Sequence, residues 1–482
     1  FSFESETDTE TVALLTRHHM DQGMPPREAA AATLARLNGA FALCFLFEGE
    51  EDLLIAARKG SPLAVGHGEG EMFVGSDAIA LAPFTDRITY LEEGDSAVIT
   101  RAGVEVRDAG GRLANRPEAR ISIDATRIEK GGHRHFMAKE IAEQPVIAAD
   151  ALRHYLGADR QSLNLPETLD FSKVSRLVIV ACGTASLAGA VAKYWFEQIA
   201  GLPVEVDIAS EFRYRDPVLD PQSWAIFVSQ SGETADTLAA LRHVQGKVGR
   251  VISVVNVPTS SIARESDLAL PILAGVEVSV ASTKGFTCQL LVLALMALKA
   301  GHDRGRLTGE ALARHLSDLT NLPGLMNHAL TLGDEIAALA GEIAKARDVL
   351  FLGRGPMYPL ALEGALKLKE ISYIHAEGYA AGELKHGPIA LIDAQMPVIV
   401  LAPHDALFAK TLSNMQEVIA RNARVILVSD EAGIRDAADA PETTLTMPPT
   451  TPLTAPILYA IPAQPIAYHT AVAKRTDVDQ PR

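Results

Sequence analysis

Cysteine is scarce in this chain of 482 residues, which holds only Cys44, Cys182 and Cys288. Their number is odd, their spacing is wide and none forms a Cys-x-x-Cys pair, which disfavours both a disulfide framework and a structural zinc site. Cysteines without disulfide partners indicate a reducing compartment, so we expect a cytoplasmic protein. Cys44 lies in an apolar run and is expected in the core rather than in a catalytic site.

Positive charge is also in short supply, because 44 Lys and Arg stand against 60 Asp and Glu, for a formal net charge of -16. This balance argues against non-specific nucleic-acid binding and against an anionic membrane surface. A small anionic ligand remains compatible with it, because helix N-termini bind phosphate through backbone N–H groups. Residues 447–473 lack all four charged residue types but contain several prolines, which predicts a buried core helix rather than a membrane span.

The glycine motifs of nucleotide-binding proteins are missing as well. No Gly-rich loop ends in Gly-Lys-Ser/Thr, and Gly353-Arg354-Gly355 lacks the third glycine of a dinucleotide fingerprint. We therefore expect neither a nucleotide nor NAD, and we expect no cofactor and no metal.

The length suggests about three domains. Residues 1–120 read as two helices followed by short strands, an α+β pattern. Thr7 and Glu10 have the spacing of a capping box before a helix at 11–20, and a second helix is expected to run from Pro26 to about Asn38. The predicted strands are 40–47, 53–57, 72–74 and 97–100. A polar segment, 107–130, resembles a connection, and we place a linker at 121–134.

From residue 135 onward, short apolar runs alternate with helices, the rhythm of a parallel sheet covered on both faces. The rhythm restarts after a helical stretch at about 308–347. We therefore predict two doubly wound α/β units of one kind, at 135–307 and 308–482. The predicted strands are 177–181, 225–229, 251–255, 349–353, 397–402 and 425–429.

Small hydrogen-bond donors follow two of these strands, in the loops 182–186 and 229–234. Ligands of open parallel sheets bind beyond the carboxyl ends of the strands, where glycines let the backbone approach and helix N–H groups point outward. A third Ser/Thr cluster at 280–283 precedes another helix. One such loop alone would be an ordinary helix cap. Together they predict a neutral cradle for a phosphomonoester.

Lys367, Glu370 and His386 suit proton transfer on a sugar. Lys367 and Glu370 are three residues apart and share one face of a predicted helix. A carboxylate beside an ammonium is a base with a tunable pKa, and a loop histidine exchanges protons near neutral pH. The alternative is a common surface Lys–Glu pair with an unrelated histidine.

With these residues in view, the chain resembles the glutamine:fructose-6-phosphate amidotransferases, or glucosamine-6-phosphate synthases. The resemblance is strongest in segments 5–10, 209–215, 229–238, 281–284, 362–388 and 476–482. It implies a glutaminase domain of the N-terminal-nucleophile type followed by two sugar-isomerase domains. It also implies that ammonia from glutamine converts fructose 6-phosphate to glucosamine 6-phosphate, the first step of amino sugar biosynthesis.

The resemblance assigns roles residue by residue. Glu370 matches the base that moves a proton between C1 and C2, and Lys367 its catalytic neighbour. His386 matches a ring-opening residue supplied by the other subunit of a homodimer, and Asp8 matches the residue that holds the α-amino group of glutamine. Substrate binding is assigned to Cys182, Gly183, Thr184, Ser229, Gln230, Ser231, Thr234, Val280 and Ser282.

The sequence also departs from the family pattern. It has neither the N-terminal Cys nucleophile nor the C-terminal Lys of the family, and Ala185 stands where some members have Ser. We therefore expect 1–120 to be the second half of a glutaminase domain, unable to hydrolyse glutamine alone. Two other functions stay open: a non-catalytic sugar-phosphate sensor and a glutamine-independent sugar-phosphate isomerase.

Overall fold

The computed structural model describes residues 1–76, 78–120, 130–438 and 440–481. They form two compact units, divided between Glu129 and Lys130. Part of the predicted linker, 121–129, and the last residue of the resembling segment 476–482 lie outside the described residues.

The first unit has the predicted α+β composition. Helices α1 (Asp8–Asp21) and α2 (Pro26–Leu34) precede two four-stranded antiparallel sheets, in the orders β1-β2-β6-β7 and β4-β3-β5-β8. Another short helix, α3 (Ala78–Leu81), follows β4. The strands are β1 (Phe41–Leu46), β2 (Leu54–Lys59), β3 (Ala64–His67), β4 (Met72–Gly75), β5 (Arg87–Tyr90), β6 (Ser96–Thr100), β7 (Gly103–Arg107) and β8 (Glu118–Arg120).

Several local predictions in this unit are wrong. The capping box does not form, because the Glu10 carboxylate accepts the N–H groups of Glu4 and Ser5, each at 2.7 Å, while the Thr7 side chain caps nothing. Part of the polar segment 107–130 is strand β8, whose exposed edge position tolerates charged residues. Cys44 is exposed rather than in the core, because it lies on the outward face of an edge strand.

The second unit contains two five-stranded sheets in which every pair of strands is parallel. Their orders are β10-β9-β11-β12-β13 and β15-β14-β16-β17-β18, so both follow the doubly wound pattern 2-1-3-4-5 and the predicted duplication is confirmed. The first sheet comprises β9 (Leu177–Ala181), β10 (Val204–Ile208), β11 (Trp224–Ser229), β12 (Arg250–Val255) and β13 (Leu268–Pro271). The second comprises β14 (Asp348–Gly353), β15 (His375–Ala380), β16 (Pro397–Leu401), β17 (Arg424–Asp430) and β18 (Thr443–Met447).

Helices cover both sheets. They are α4 (Phe136–Tyr155), α5 (Gly183–Ala200), α6 (Ala209–Arg215), α7 (Ala235–Val244), α8 (Ser261–Glu265), α9 (Lys284–Asp303), α10 (Gly309–Leu330), α11 (Gly333–Ile343), α12 (Met357–Ser372), α13 (Phe408–Ile419), α14 (Glu431–Ala437) and α15 (Ala455–Lys474). Two 3₁₀ turns, Ala381–His386 and Pro388–Leu391, follow β15.

One continuous hydrophobic core joins the two sheets of this unit through α5, α9, α12 and α15. Helix α9 is long and apolar enough to cross a membrane, but 89% of its apolar window is buried inside the protein. Helix α15 is the predicted core helix and contains Pro462 and Pro465. Packing of α12 beside α5 brings the second half of the unit to the carboxyl edge of the first sheet. The division at 307/308 stays a prediction.

Candidate functional site

A cavity of about 250 Å³ opens beyond the carboxyl ends of β9 and β11. Its walls come from the loops after these strands, from segment 277–282 that leads into α9, and from α9 and α12 themselves. The lining residues are Cys182, Thr184, Ala185, Val228, Ser229, Gln230, Ser231, Thr234, Glu277, Ser279, Val280, Ser282, Gln289, Lys367 and Glu370.

The loop after β9 turns directly into α5. Cys182 is the N-cap residue, and Gly183 has a positive φ of 52°, a conformation that glycine adopts without strain. The N-terminus of this 18-residue helix therefore opens at the cavity. The hydroxyl of Thr184 points to α12, where it donates to Glu363 Oε1 at 3.2 Å.

The loop after β11 is held in shape by its own hydroxyl groups. Ser229 Oγ accepts the N–H of Gly232 at 3.0 Å and lies 3.0 Å from Thr234 Oγ1. Ser231 Oγ accepts the N–H of Glu233 at 3.2 Å. Thr234 is the N-cap residue of α7, but its side chain makes no capping bond. Hydroxyls and helix N–H groups are thus gathered at one place, an arrangement suited to phosphate.

Segment 277–285 forms a third wall around one carboxylate. Glu277 Oε1 accepts the N–H groups of Thr283 and Gly285 at 2.8 and 3.0 Å, and Oε2 accepts the Ser282 hydroxyl at 2.9 Å. Behind this segment, Glu140 of α4 accepts the N–H groups of Val278 and Ser279. The backbone here is fixed by two acidic side chains, and Val280 remains 64% exposed at the cavity.

The acid–base groups lie on α12. Lys367 is 1% exposed, and its Nζ lies 2.6 Å from Glu370 Oε2 and 3.6 Å from Glu363 Oε1. Burial lowers the pKa of the Lys367 ammonium, but the two carboxylates more than offset this, and the net shift is upward. Burial also raises the pKa of the Glu363 carboxyl to about 7, although the Lys367 charge and the Thr184 hydroxyl oppose the rise. An ammonium so held orients the partly exposed Glu370 carboxylate toward the cavity.

The structure brings most of the predicted site residues together. The predicted hydroxyl groups, Cys182, Gln230, Val280, Lys367 and Glu370 line one cavity. Gly183 shapes the loop after β9 but is not among the residues that line the cavity. His386 is exposed at the end of a 3₁₀ turn and is not among the lining residues that the structure describes. Asp8 belongs to the first unit, where it is exposed at the start of α1.

Sequence reasoning missed Glu277, Ser279, Gln289 and Glu363. Glu363 had a usable signal, since it precedes Lys367 by four residues and therefore shares its helix face. Gln289 had a weaker one, as an amide in the most apolar part of α9. Ser279 and Glu277 had none, because a loop far along the chain brings them to the cavity. The described residues contain no cluster of His, Cys, Asp and Glu that could hold a metal ion.

Comparison with known proteins agrees with this geometry. The SIS domain family matches residues 170–299 and again 342–474, which contain the two parallel sheets. The class of protein is thus one built from paired SIS domains, with its cavity at the carboxyl edge of the first sheet.

Relatives narrow the class to a family. The glutamine–fructose-6-phosphate aminotransferase (isomerizing) of Zymomonas mobilis is 57% identical over all of this chain and 79% of its own length. The enzyme of the same name from Brucella abortus is 56% identical with the same coverage. The chain belongs to the family of isomerizing glutamine–fructose-6-phosphate aminotransferases.

Solved structures give the same result. The C-terminal domain of glucosamine-fructose-6-phosphate aminotransferase from Francisella tularensis covers 73% of this chain and all of its own, with 44% identity and a TM-score of 0.71. A glucosamine-6-phosphate deaminase from Thermotoga maritima covers 72% of this chain and 97% of its own, with a TM-score of 0.56. Its 22% identity shows the fold alone.

Proposed function

We propose that the protein converts fructose 6-phosphate and ammonia derived from glutamine to glucosamine 6-phosphate and water, the first step of amino sugar biosynthesis. Hydrolysis of glutamine supplies the ammonia and leaves glutamate. The observation that carries the proposal is that Lys367 and Glu370 line the same cavity as the two hydroxyl-bearing loops. A phosphate cradle and a proton-transfer group within one cavity suit a phosphorylated sugar whose carbonyl moves between adjacent carbons.

The phosphate is held by the loops after β9 and β11. Thr184, Ser229, Gln230, Ser231 and Thr234 line this part of the cavity. The hydroxyls after β11 and the N-termini of α5 and α7 donate hydrogen bonds to the anion. Val280 and Ser282 contact the sugar, and Cys182 and Gly183 shape the first loop.

Glu370 acts as the base that moves a proton between C1 and C2 of the open-chain sugar. The net proton count is unchanged, because the proton taken from one carbon is returned to the other. Lys367 is a donor fixed 2.6 Å from Glu370 Oε2, so it holds the base in position. Glu363 fixes Lys367 from its other side.

Glu370→Gln in the full-length protein tests this role. Glucosamine 6-phosphate formation should fall by about 10²-fold or more, because an amide cannot accept the proton. Fructose 6-phosphate binding should persist, which calorimetric titration would show. Lys369→Met is the matched control, since Lys369 is exposed on the same helix and should be replaceable without loss. Full turnover in the Glu370 variant would contradict the proposal, and tight binding by a wild type without turnover would favour a sensor.

We also propose a homodimer in which His386 serves the cavity of the other subunit and opens the sugar ring. Its exposure, and its position away from the cavity of its own chain, support this assignment. Joint expression of Glu370→Gln and His386→Ala subunits tests it. Random pairing gives about half mixed dimers, each with one intact site, so about a quarter of wild-type activity should return. If His386 acted within its own chain, no intact site would form and activity would stay lost.

The remaining assignments follow from the family. Glutamine is the nitrogen source, and Asp8 holds its α-amino group at the first turn of α1. The division in which 1–120 form the second half of a glutaminase domain stays a prediction. A cytoplasmic location fits free cysteines, and the acidic balance fits the absence of nucleic-acid or membrane partners.

A further inference from the structure

Helix α9 contains a buried polar side chain, Gln289, whose amide oxygen is not used in holding the described fold together. Gln289 is 1% exposed, and its Oε1 has no hydrogen-bond partner among the described residues. The neighbouring Thr287 shows the usual solution, because its hydroxyl donates to Gln144 Oε1 at 2.5 Å. A buried acceptor left without a donor is costly, so an amide at this place requires an explanation.

The cavity supplies that explanation. Gln289 is a lining residue, although it belongs to a helix that is otherwise core. Ser279 also lines the cavity, is 6% exposed, and has an Oγ without a partner among the described residues. The backbone of Ser279 is held in place, because Glu140 Oε1 accepts its N–H. Two unpaired buried polar groups therefore lie on the wall of one cavity.

We infer that Gln289 and Ser279 bind hydroxyl groups of the sugar carbon chain and thereby select a polyhydroxylated phosphate over phosphate alone. The inference rests on the proposed function and adds binding residues to the same site. Gln289 Oε1 can only accept, so it requires a donor such as a sugar hydroxyl. Ser279 Oγ can donate or accept. Recognition through buried groups is selective, because a ligand lacking the matching hydroxyl leaves them unpaired.

Gln289→Met in the full-length protein is the main test, since methionine has a similar length and removes the amide. Titration with fructose 6-phosphate should show an affinity about tenfold lower, as expected for one lost hydrogen bond from a buried group. Inorganic phosphate should bind within about twofold of wild type, because the loops after β9 and β11 are untouched. Retained phosphate binding also shows that the variant is folded.

Singly deoxygenated analogues of fructose 6-phosphate identify the hydroxyl. One analogue should bind wild type and the Gln289 variant equally, because the interaction is already absent from it. Gln144→Met is the control: Gln144 is equally buried, but its amide bonds to Thr287 and Gln464. That variant should lose stability while keeping the wild-type ratio of fructose 6-phosphate to phosphate affinity.

The outcomes separate the two proposals. If wild type binds fructose 6-phosphate and the Gln289 variant binds it equally well, the inference is wrong and the proposed function stands. Equal weakening of both ligands would assign Gln289 a structural role and also overturn the inference. A wild type that binds inorganic phosphate but not fructose 6-phosphate would overturn the proposed function, and the inference with it.

Discussion

The two parallel sheets have the same strand order but differ at their carboxyl edges. In the first sheet, the central strand β11 leads to α7 through Thr234, whose hydroxyl faces the cavity. In the second, the corresponding strand β16 leads to α13 through Leu407, whose Cδ1 packs close to Gly355 in the loop after β14. The N-cap position thus holds a hydroxyl side chain at the first edge and an apolar side chain at the second.

The two edges also differ in the carboxylates that accept backbone N–H groups. Beyond the second sheet, Asp430 accepts the N–H groups of His404, Ala432 and Gly433. Asp405 accepts the N–H of Leu407 at 2.8 Å. Asp405 and Asp430 therefore satisfy N–H groups at the starts of α13 and α14, whereas the described residues provide no side-chain cap for α5 and α7, whose N-termini are left for a ligand. The second half contributes Lys367 and Glu370 of α12 to the cavity at the edge of the first sheet.

Thr234→Leu makes the first edge resemble the second, and we expect it to have the largest effect, on phosphate affinity. It removes a hydroxyl that meets Ser229 and places at α7 the side chain that precedes α13. Affinity for inorganic phosphate should fall by about 10- to 100-fold, because hydrogen bonds to a charged group contribute about 1.5–3 kcal/mol. Calorimetric titration measures it. Thr234→Ser keeps the hydroxyl and should bind within about twofold of wild type. Equal affinity in the leucine variant would remove Thr234 from the cradle.

In the two parallel sheets, the central strands could be predicted from the sequence because burial on both faces makes them continuous apolar runs. The edge strands β10, β13, β15 and β18 escaped detection. β15, His-Ala-Glu-Gly-Tyr-Ala, contains charged and small residues that an edge position tolerates. Cys44 illustrates the converse error, since an apolar run at an edge can face outward. Composition alone does not distinguish these cases; the neighbouring strand does.

The residues of the site likewise fall into those that the sequence predicts and those that it does not. Thr184, Ser229 and Ser231 could be predicted because they directly follow buried strands, and strand ends in a parallel sheet meet at one edge. Glu277, Ser279 and the supporting hydrogen bonds from Glu140 depend on packing between elements far apart in the chain. No local pattern records such contacts, so their part in the site emerges only from the fold.

Two buried carboxyl groups near the cavity, Glu140 and Glu363, give a second comparison, in which the expected effects are on stability. Burial raises the pKa of the Glu140 carboxyl to about 7, with a further rise from Glu277 and opposition from its backbone donors and Lys284. Glu363 has a pKa of about 7 for the same main reason, but it faces the Lys367 ammonium. The two groups share a pKa direction and differ in the charge beside them.

Glu140→Gln should therefore flatten the pH dependence of stability. Because the folded-state pKa lies above the unfolded value of 4.5, the folded protein holds an extra proton between about pH 4.5 and 7. The stabilising contribution is complete below pH 4.5 and is lost as the pH rises through 7. A neutral amide does not titrate, so urea unfolding should show the variant gaining about 2–3 kcal/mol relative to wild type as the pH rises from about 5 to 8.

Glu363→Gln is the matched comparison for this measurement. It removes a titration in the same range, but it also takes one of two carboxylates from the buried Lys367 ammonium. An ammonium that loses a buried partner is strongly destabilising, so the Glu363 variant should be less stable than wild type at pH 8, by about 3 kcal/mol. The opposite signs at pH 8 would show that Glu140 supports a wall of the cavity while Glu363 balances a charge within it. A gain of stability in both variants would mean that Lys367 does not depend on Glu363.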